Sequence, residues 1–224
     1  MEEEAIVSSS GGVADSTTLS DEVYRRLRLA IVKGEHRPNA RLVEAELAEQ
    51  LSVSRTPVRD GLIRLAGEGL VLSRRRGWVV REHTADEIAE IYGVRVALEG
   101  YAARLAATLG DDAALAHLEC VHLRGADDAT QDARDRLVDH NTDLHAAIVD
   151  AAGNQRLKVM INQSCEYFFN HQIAVLYSGE EAAQSLAGHD SVVHAILDRD
   201  SDGAETAMRA HVAEALAVIL SKMR

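Results

Sequence analysis

The chain has 224 residues, of which 46% are hydrophobic and 4% aromatic, and this length is enough for two domains with separate cores. No stretch approaches the roughly 20 consecutive apolar residues that a membrane-spanning helix needs. Residues 1–18 carry acids where a secretion signal carries bases. We therefore expect a cytoplasmic protein without a membrane partner, and a disordered tail over residues 1–18.

The net charge of −12 is unevenly distributed along the chain. Residues 19–83 hold 13 Lys/Arg against 9 Asp/Glu, whereas residues 84–224 hold 11 against 23. A basic segment with the size of a DNA-binding domain thus precedes an acidic remainder. This distribution indicates nucleic-acid binding by the first segment, and the acidic remainder disfavours DNA contact elsewhere.

Hydrophobic periodicity predicts helices over about residues 20–33, 43–51 and 54–66, the last two separated by a turn of two residues. Ser54 is a suitable N-cap, and Pro57 falls in the first turn of the third helix. Two short strands, at about residues 70–72 and 78–80, flank a basic tip. Three helices followed by a small β-hairpin predict a winged helix-turn-helix DNA-binding domain over residues 19–83.

Beyond residue 83 the pattern is helical throughout. Thr84 and Glu87 form a capping box that starts a helix reaching about residue 109. Further helices are predicted at about residues 112–124, 129–152, 155–177, 181–199 and 202–222. The fold class is therefore mainly α, with an all-α six-helix bundle over residues 84–224.

Two arginines of the third helix are candidates for reading DNA bases. Arg55 and Arg59 are four residues apart, so they share one face in the part of a recognition helix that reaches base edges. Arginine pairs with guanine through two hydrogen bonds in the major groove. The ordinary interpretation is that these are solvated charges, but the tight turn, the basic hairpin tip and the local charge reversal favour DNA contact.

Four neighbouring residues complete the candidate DNA-binding set. The hydroxyl groups of Ser54 and Thr56, at the start of the helix, suit backbone phosphates. Arg76 and Gly77 lie at the hairpin tip, where a basic side chain can enter the adjacent minor groove and a glycine permits close approach.

Residues 19–80 resemble the GntR family of transcriptional regulators. The resemblance is carried by spaced blocks at residues 23–34, 42–48, 54–59 and 69–71. It implies a homodimer that binds double-stranded palindromic operator DNA. It also implies that Arg55 and Arg59 contact bases, that Ser54 and Thr56 hold phosphates, and that Gly77 lies in the wing.

A second group of candidate residues is spread over the later helices. Asn141 and His145 are four residues apart on one helix, and His189 and His211 lie on two others. If they converge, three imidazoles and one oxygen suit a divalent transition metal, zinc or nickel first, with manganese or iron as alternatives. Spacing alone leaves open the ordinary interpretation as surface or core histidines, which we apply to the other seven histidines of the chain.

Residues 84–221 resemble the FCD ligand-binding domain of the FadR-type branch of GntR regulators. The blocks that carry this resemblance are residues 91–99, 144–145, 152–154, 189–200 and 208–211. It implies that an Asp and three His hold a metal beside a small carboxylate effector. The chain's three candidate histidines fall on the family's positions, but Asn141 stands where the family has Asp. This neutral amide leaves the full charge of the ion to attract an anion.

Arg95 is the candidate effector-binding residue. It lies in an apolar stretch of its helix, and its guanidinium can clamp a carboxylate. The alternative is an ion pair with Glu99, one helical turn further on. Both interpretations stay open at the level of sequence.

The sequence thus predicts a ligand-responsive DNA-binding regulator, a repressor in the favoured interpretation, whose operator binding changes with a metal-bound organic acid. The alternative is a metal sensor in which the metal itself is the effector. We do not expect an enzyme, because neither an HExxH motif nor a general base accompanies the histidines. An architectural DNA binder would leave the acidic bundle without a role.

Overall fold

The computed structural model of the chain describes residues 18–32, 34–75, 77–126, 133–165 and 177–223. Several predictions lie outside these residues. They are the disordered tail over residues 1–17, the minor-groove role of Arg76, and the parts of two predicted helices at residues 129–132 and 166–176.

The N-terminal half contains three helices and three short strands. They are α1 (Leu19–Val32), β1 (Arg41–Leu42), α2 (Glu44–Leu51), α3 (Arg55–Gly67), β2 (Val71–Arg74) and β3 (Gly77–Val80). The three helices and the hairpin confirm the predicted winged helix-turn-helix. Strand β1 is an addition, since two residues show no periodicity from which a strand can be predicted.

The strands form one antiparallel sheet in the order β1-β3-β2. Arg41 of β1 is opposite Val79, and Arg74 of β2 is opposite Gly77. The central position of β3 joins the hairpin to the segment that leads into α2. The wing is therefore attached to the helix-turn-helix by backbone pairing as well as by side-chain packing.

The turn between α2 and α3 consists of Ser52, Val53 and the N-cap residue Ser54. Ser52 adopts a left-handed backbone conformation, with φ of 57°, and its N–H donates to the carbonyl of Glu49. Ser54 occupies the N-cap position of α3, as predicted, but its side chain makes no capping hydrogen bond. The expected capping interaction is therefore absent, and the Ser54 residue is exposed.

A hydrophobic core joins α1, α2, α3 and the sheet. Its most buried members, each at most 2% exposed, are Val23, Leu27, Leu42, Val58, Leu62, Leu65 and Val71. Burial of a side chain such as leucine contributes about 1.5–3 kcal/mol. Gly61 allows α1 to approach α3 closely, because a Cβ at this position would lie 3.3 Å from Cα of Tyr24.

The C-terminal half is helical. Its described helices are α4 (Ala85–Leu109), α5 (Asp112–Ala126), α6 (Ala133–Ala151), α7 (Gln155–Cys165), α8 (Gly179–Leu197) and α9 (Ser201–Lys222). The predicted capping box is confirmed, because the Thr84 hydroxyl accepts from the Glu87 N–H at 3.2 Å and the Glu87 carboxylate accepts from the Thr84 N–H at 2.9 Å. The mainly α fold class is thus confirmed.

Helix α4 is central in this bundle and packs against α6, α7, α8 and α9. Its contact with α9 is close at Gly100, where a Cβ would lie 2.6 Å from Cγ of Arg209. Over the described ranges, no helix combines the length and apolar character needed to cross a membrane.

Candidate functional site

The first turns of α3 present the predicted DNA-reading face. Arg55, Thr56 and Arg59 are exposed, whereas Val58 and Leu62 on the opposite side are completely buried. The apolar side therefore fixes the rotation of the helix, and this rotation directs both arginines outwards. The two arginines share one exposed face, as their spacing predicts.

Arg59 is held by a residue that the sequence analysis did not single out. Its Nη2 donates to Glu44 at 2.8 Å, and its Nε lies 3.1 Å from both oxygens of this carboxylate. Trp78 of β3 also donates to Glu44, at 3.2 Å. Hydrogen bonding by Arg59 lowers the pKa of Glu44 against the opposing effect of burial. One ionised carboxylate thus links α2, the recognition helix and the wing, while the Arg59 side chain remains 61% exposed.

Gly77 has a structural reason to be glycine. Its φ is 123°, a value that side chains with a Cβ rarely adopt, and a Cβ would lie 3.2 Å from the carbonyl oxygen of Leu42. The residue therefore allows β3 to start directly after the hairpin tip, against β1. Arg74 and Arg75 of this tip are exposed.

The bundle brings together the four residues predicted to bind metal. His145 on α6, His189 on α8 and His211 on α9 have candidate ligand atoms that all lie within 4.8 Å of one another. Nε2 of His145 is 3.3 Å from Nε2 of His211, and Oδ1 of Asn141 is 3.1 Å from Nε2 of His189. Asn141, His189 and His211 are at most 5% exposed. Three imidazoles and one amide oxygen therefore converge inside the bundle.

Burial keeps two of these histidines in the neutral form. Burial first, and then the charge of His145, lowers the pKa of His211 to about 3. Burial and the neighbouring His211 and His145 likewise hold the pKa of His189 well below its usual value. Both rings therefore have a lone pair available near neutral pH, which is the form that binds a metal ion.

Glu99 orients the third imidazole. Its Oε2 lies 2.6 Å from Nδ1 of His145, and Nε of Arg95 donates to its Oε1 at 2.7 Å. Burial opposes ionisation of Glu99, but the charges and hydrogen bonds of Arg95 and His145 outweigh it and hold the pKa of the carboxyl below its ordinary value. An ionised carboxylate only accepts, so Nδ1 of His145 carries a proton, and Nε2 is the atom of this ring that can coordinate a metal ion. This arrangement is typical of metal-binding histidines.

These residues fit a divalent transition metal. His145, His189 and His211 would supply three nitrogen ligands and Asn141 a neutral oxygen, a donor set that suits zinc or a similar ion. Such an ion, when bound, would supply a concentrated positive charge. The chain itself holds the imidazoles in place, through burial and through the contact of Glu99 with His145.

Arg95 forms the ion pair that the sequence analysis gave as the alternative. It is 3% exposed, and its guanidinium carbon lies 4.6 Å from the ring centroid of Tyr92. Its pairing with Glu99 forms a buried ion pair, without net charge, beside His145. Contact of Arg95 with an effector stays a prediction.

The structure shows two further histidines beside this cluster, which the sequence analysis interpreted as ordinary. The ring centroid of His140 is 5.7 Å from that of His189, and the ring centroid of His122 is 5.9 Å from that of His140. Nε2 of His122 lies 3.2 Å from a carboxylate oxygen of Asp190. No spacing pattern predicts this proximity, because His122 and His140 lie on different helices.

An exposed arginine face on a winged helix, followed by a helical bundle with a buried polar centre, defines a DNA-binding transcriptional regulator. Comparison with known proteins supports this class directly. Residues 19–80 match the bacterial regulatory proteins of the gntR family, and residues 90–214 match the FCD domain. The chain belongs to the GntR family and carries an FCD domain.

Curated relatives are similar over most of their length. The probable D-xylose utilization operon transcriptional repressor of Paenarthrobacter nicotinovorans is 31% identical over 203 residues, which cover 88% of this chain and 87% of the relative. The Nta operon transcriptional regulator of Aminobacter aminovorans is 28% identical over 189 residues, 84% of this chain and 88% of the relative. These families and relatives are transcriptional regulators, so the chain is a regulator and not an enzyme.

Solved structures share the fold. The Escherichia coli protein McbR/YncC superposes with a TM-score of 0.79 at 23% identity, over 92% of this chain and 98% of that one. A putative GntR regulator from a Rhodococcus species gives a TM-score of 0.75 at 25% identity, over 92% and 99% of the two chains.

Proposed function

We propose that this protein is a cytoplasmic repressor whose C-terminal bundle, residues 84–224, binds a divalent metal and a small organic acid that together control operator binding by residues 19–83. The observation that carries the proposal is the convergence of His145, His189 and His211 with Asn141 in a buried position. Neutral ligands leave the charge of the ion uncompensated, so an anion is its natural partner. Arg95, which pairs with Glu99, is the proposed guanidinium contact for the same carboxylate.

On the DNA side, Arg55 and Arg59 contact base edges in the major groove, and Ser54 and Thr56 hold backbone phosphates. The exposure of this face on α3 supports the assignment. The hairpin tip at residues 76 and 77 contacts the minor groove beside it. Each half of a palindromic operator takes one such domain.

Two protomers are needed for a palindrome, and an apolar patch on α4 and α7 is suited to join them. Val94 and Tyr101 of α4 are 49% and 46% exposed, and Val159 and Met160 of α7 are 53% and 51% exposed. The two helices pack side by side. Exposed apolar side chains on adjacent helices are typical of an interface, so this surface joins the two copies of the chain.

Coupling between the two halves runs through the start of α4. Arg81, just after β3, pairs with Glu87 in the first turn of α4. A ligand that favours one position of α4 in the bundle therefore changes the position of the winged helix. Misalignment of the two DNA-binding domains would release the operator, because each domain alone binds weakly.

The test uses the full-length protein and an operator selected by it from a randomised DNA library. Elemental analysis of protein purified without chelator should find a transition metal, and replacement of His189 by Ala should remove it while operator binding persists. Addition of small carboxylates such as acetate, citrate or lactate should then shift operator affinity. If the metal ion alone changes operator binding and no acid does, the protein is a metal sensor. If no sequence is enriched, the proposed reading of operator bases by Arg55 and Arg59 fails.

A further inference from the structure

Three histidines, His194, His122 and His140, form a row that leads from the surface of the bundle to the buried site. His194 of α8 is exposed, and the side chain of His122 of α5 is 13% exposed. His140 of α6 is 7% exposed, and its ring centroid lies 5.7 Å from that of the candidate ligand His189, which is 1% exposed. The ring centroid of His122 lies 6.3 Å from that of His194 and 5.9 Å from that of His140. Burial therefore increases at each step along this histidine row.

The outer end of the histidine row carries a carboxylate. The side chain of Asp190 is 57% exposed, and one of its oxygens lies 3.2 Å from Nε2 of His122. Nδ1 of His194 donates to the backbone carbonyl of Asp190 at 2.7 Å. Because a carbonyl only accepts, Nδ1 of His194 carries a proton, and Nε2 is the atom of this exposed ring that can coordinate a metal ion. An exposed negative group, which attracts cations, thus lies beside imidazoles that can bind them.

Further inside, two ring nitrogens lack hydrogen bonds. Nδ1 of His122 and Nδ1 of His189 are both buried, and neither has a partner among the residues that the structure describes. Buried polar atoms are nearly always paired in folded proteins, because an unpaired one costs free energy. These atoms are at the two rings that flank His140 in the row, and coordination of a metal ion would satisfy them.

Neighbouring rings of the row are close enough to share one metal ion. Metal–nitrogen bonds of about 2.0–2.1 Å place the ring centroids of two imidazoles on the same ion roughly 5–6 Å apart. The centroid distances along the row, 5.7, 5.9 and 6.3 Å, are near this value. An ion in transit needs fewer protein ligands than a resident ion, because water fills its other positions. Such an ion can exchange one imidazole for the next without losing all of its protein ligands.

We propose that the histidine row, with Asp190 at its outer end, is the path by which a divalent transition metal ion enters and leaves the buried site. This inference rests on the proposed function, since it assumes that a metal ion binds at that site. A residue of the path lowers the barrier to entry and to exit equally, so it changes both rates and leaves the affinity as it is. A residue that only supports the packing of the site would change the affinity instead.

The experiment measures metal exchange in the full-length protein. Cobalt(II), whose visible absorption changes when nitrogen ligands coordinate it, is mixed rapidly with metal-free protein to measure loading. Excess chelating dye, mixed with cobalt-loaded protein, measures release. Replacement of His122 or His194 by Gln, a much weaker ligand, should slow loading and release by the same factor, about tenfold for His122→Gln. The equilibrium affinity for cobalt should stay the same. His117→Gln, at an exposed position on the helix of His122, is the matched control and should not alter either rate.

His194 is exposed, so its replacement tests the path without disturbing the packing of the bundle. Rates in either variant equal to those of the unmodified protein would overturn the inference and leave the proposed metal site intact. Equal slowing by His117→Gln would overturn it too, as would a loss of affinity at an unchanged loading rate. If the unmodified protein binds no cobalt, zinc or nickel at equilibrium, the inference and the metal part of the proposed function fail together.

Discussion

The Glu99 carboxylate lies 2.6 Å from Nδ1 of His145, although 46 residues separate the two in sequence. The contact fixes the proton on Nδ1 and directs Nε2 towards the other histidines. Arg95 holds the second carboxylate oxygen. One buried acid therefore orients both a candidate metal ligand and a candidate effector-binding residue.

Replacement of Glu99 by Gln should weaken metal binding by about 10–100-fold, because an amide neither fixes the imidazole as firmly nor raises its basicity. Competition with a chelating dye measures the affinity. Glu90→Gln, an exposed position on the same helix, is the control and should leave it unchanged. An affinity in Glu99→Gln equal to that of the unmodified protein would show that the carboxylate does not act on the metal ligand.

Arg59 and Glu44 should act as one unit in DNA binding. Arg59→Ala should weaken operator binding by about 1–3 kcal/mol and relax sequence preference. Glu44→Gln should also reduce preference for the operator over random DNA, because it loosens the guanidinium. In the Arg59→Ala background, Glu44→Gln should have no further effect.

Fluorescence anisotropy with operator and random duplexes measures operator affinity and the preference for the operator in the Arg59 and Glu44 variants. Glu46→Gln, exposed on the same helix as Glu44, is the matched control. Additive effects of the two substitutions would contradict the idea that Glu44 acts through Arg59.

Metal-free protein should lose stability as the pH falls below about 6.5, the usual histidine value. The folded pKa of His211 is about 3, so in this window the unfolded chain takes up a proton that the folded chain does not. The contribution of the neutral His211 to the free energy of unfolding is therefore fully present above pH 6.5. It decreases as the pH falls, by at most about 1.4 kcal/mol per pH unit for each histidine of this kind.

Urea unfolding at several pH values between 7 and 5, in the presence of chelator, measures this slope. His211→Gln should reduce the slope, whereas His117→Gln at an exposed position should not. If the free energy of unfolding depends on pH equally in the unmodified protein, His211→Gln and His117→Gln, the folded state does not hold His211 in the neutral form.

Val159→Glu should convert the protein to a monomer, because it places a charge in the apolar patch on α4 and α7. Operator affinity should fall strongly, since two half-sites are no longer engaged together, while metal content should be retained. Sedimentation analysis measures the mass. Leu123→Glu on α5, where the native side chain is 54% exposed, is the control. A Val159→Glu dimer would place the interface elsewhere.

Local signals in the sequence were sufficient for most of the fold. The capping box at Thr84 and Glu87 predicted the start of α4, and apolar spacing predicted the helix-turn-helix. Strand β1 was not predicted, because a strand of two residues is too short to show an alternating hydrophobic pattern. Ser54 was predicted at the correct position, but its capping bond is not formed.

Most of the histidine site could not be predicted from local sequence patterns, because it depends on contacts between residues that are far apart in the chain. Resemblance to a family predicted the meeting of His145, His189 and His211, whereas their spacing left it open. Glu44 was not predicted as a partner of Arg59 and Trp78, because this contact forms only when α2, α3 and β3 pack together. The Arg95–Glu99 pair was foreseen as one of two possibilities, since both residues lie on one helix.

The pairing of β1 with β3 gives the DNA-binding half a fixed internal geometry. The wing cannot separate from the segment that leads into α2 without breaking these backbone hydrogen bonds, so we expect a signal from the bundle to move this half as one body. Residues 19–80 should therefore be transferable as a cassette. A chimera that places them on the FCD domain of another regulator should keep this protein's operator preference and adopt the inducer of its new host.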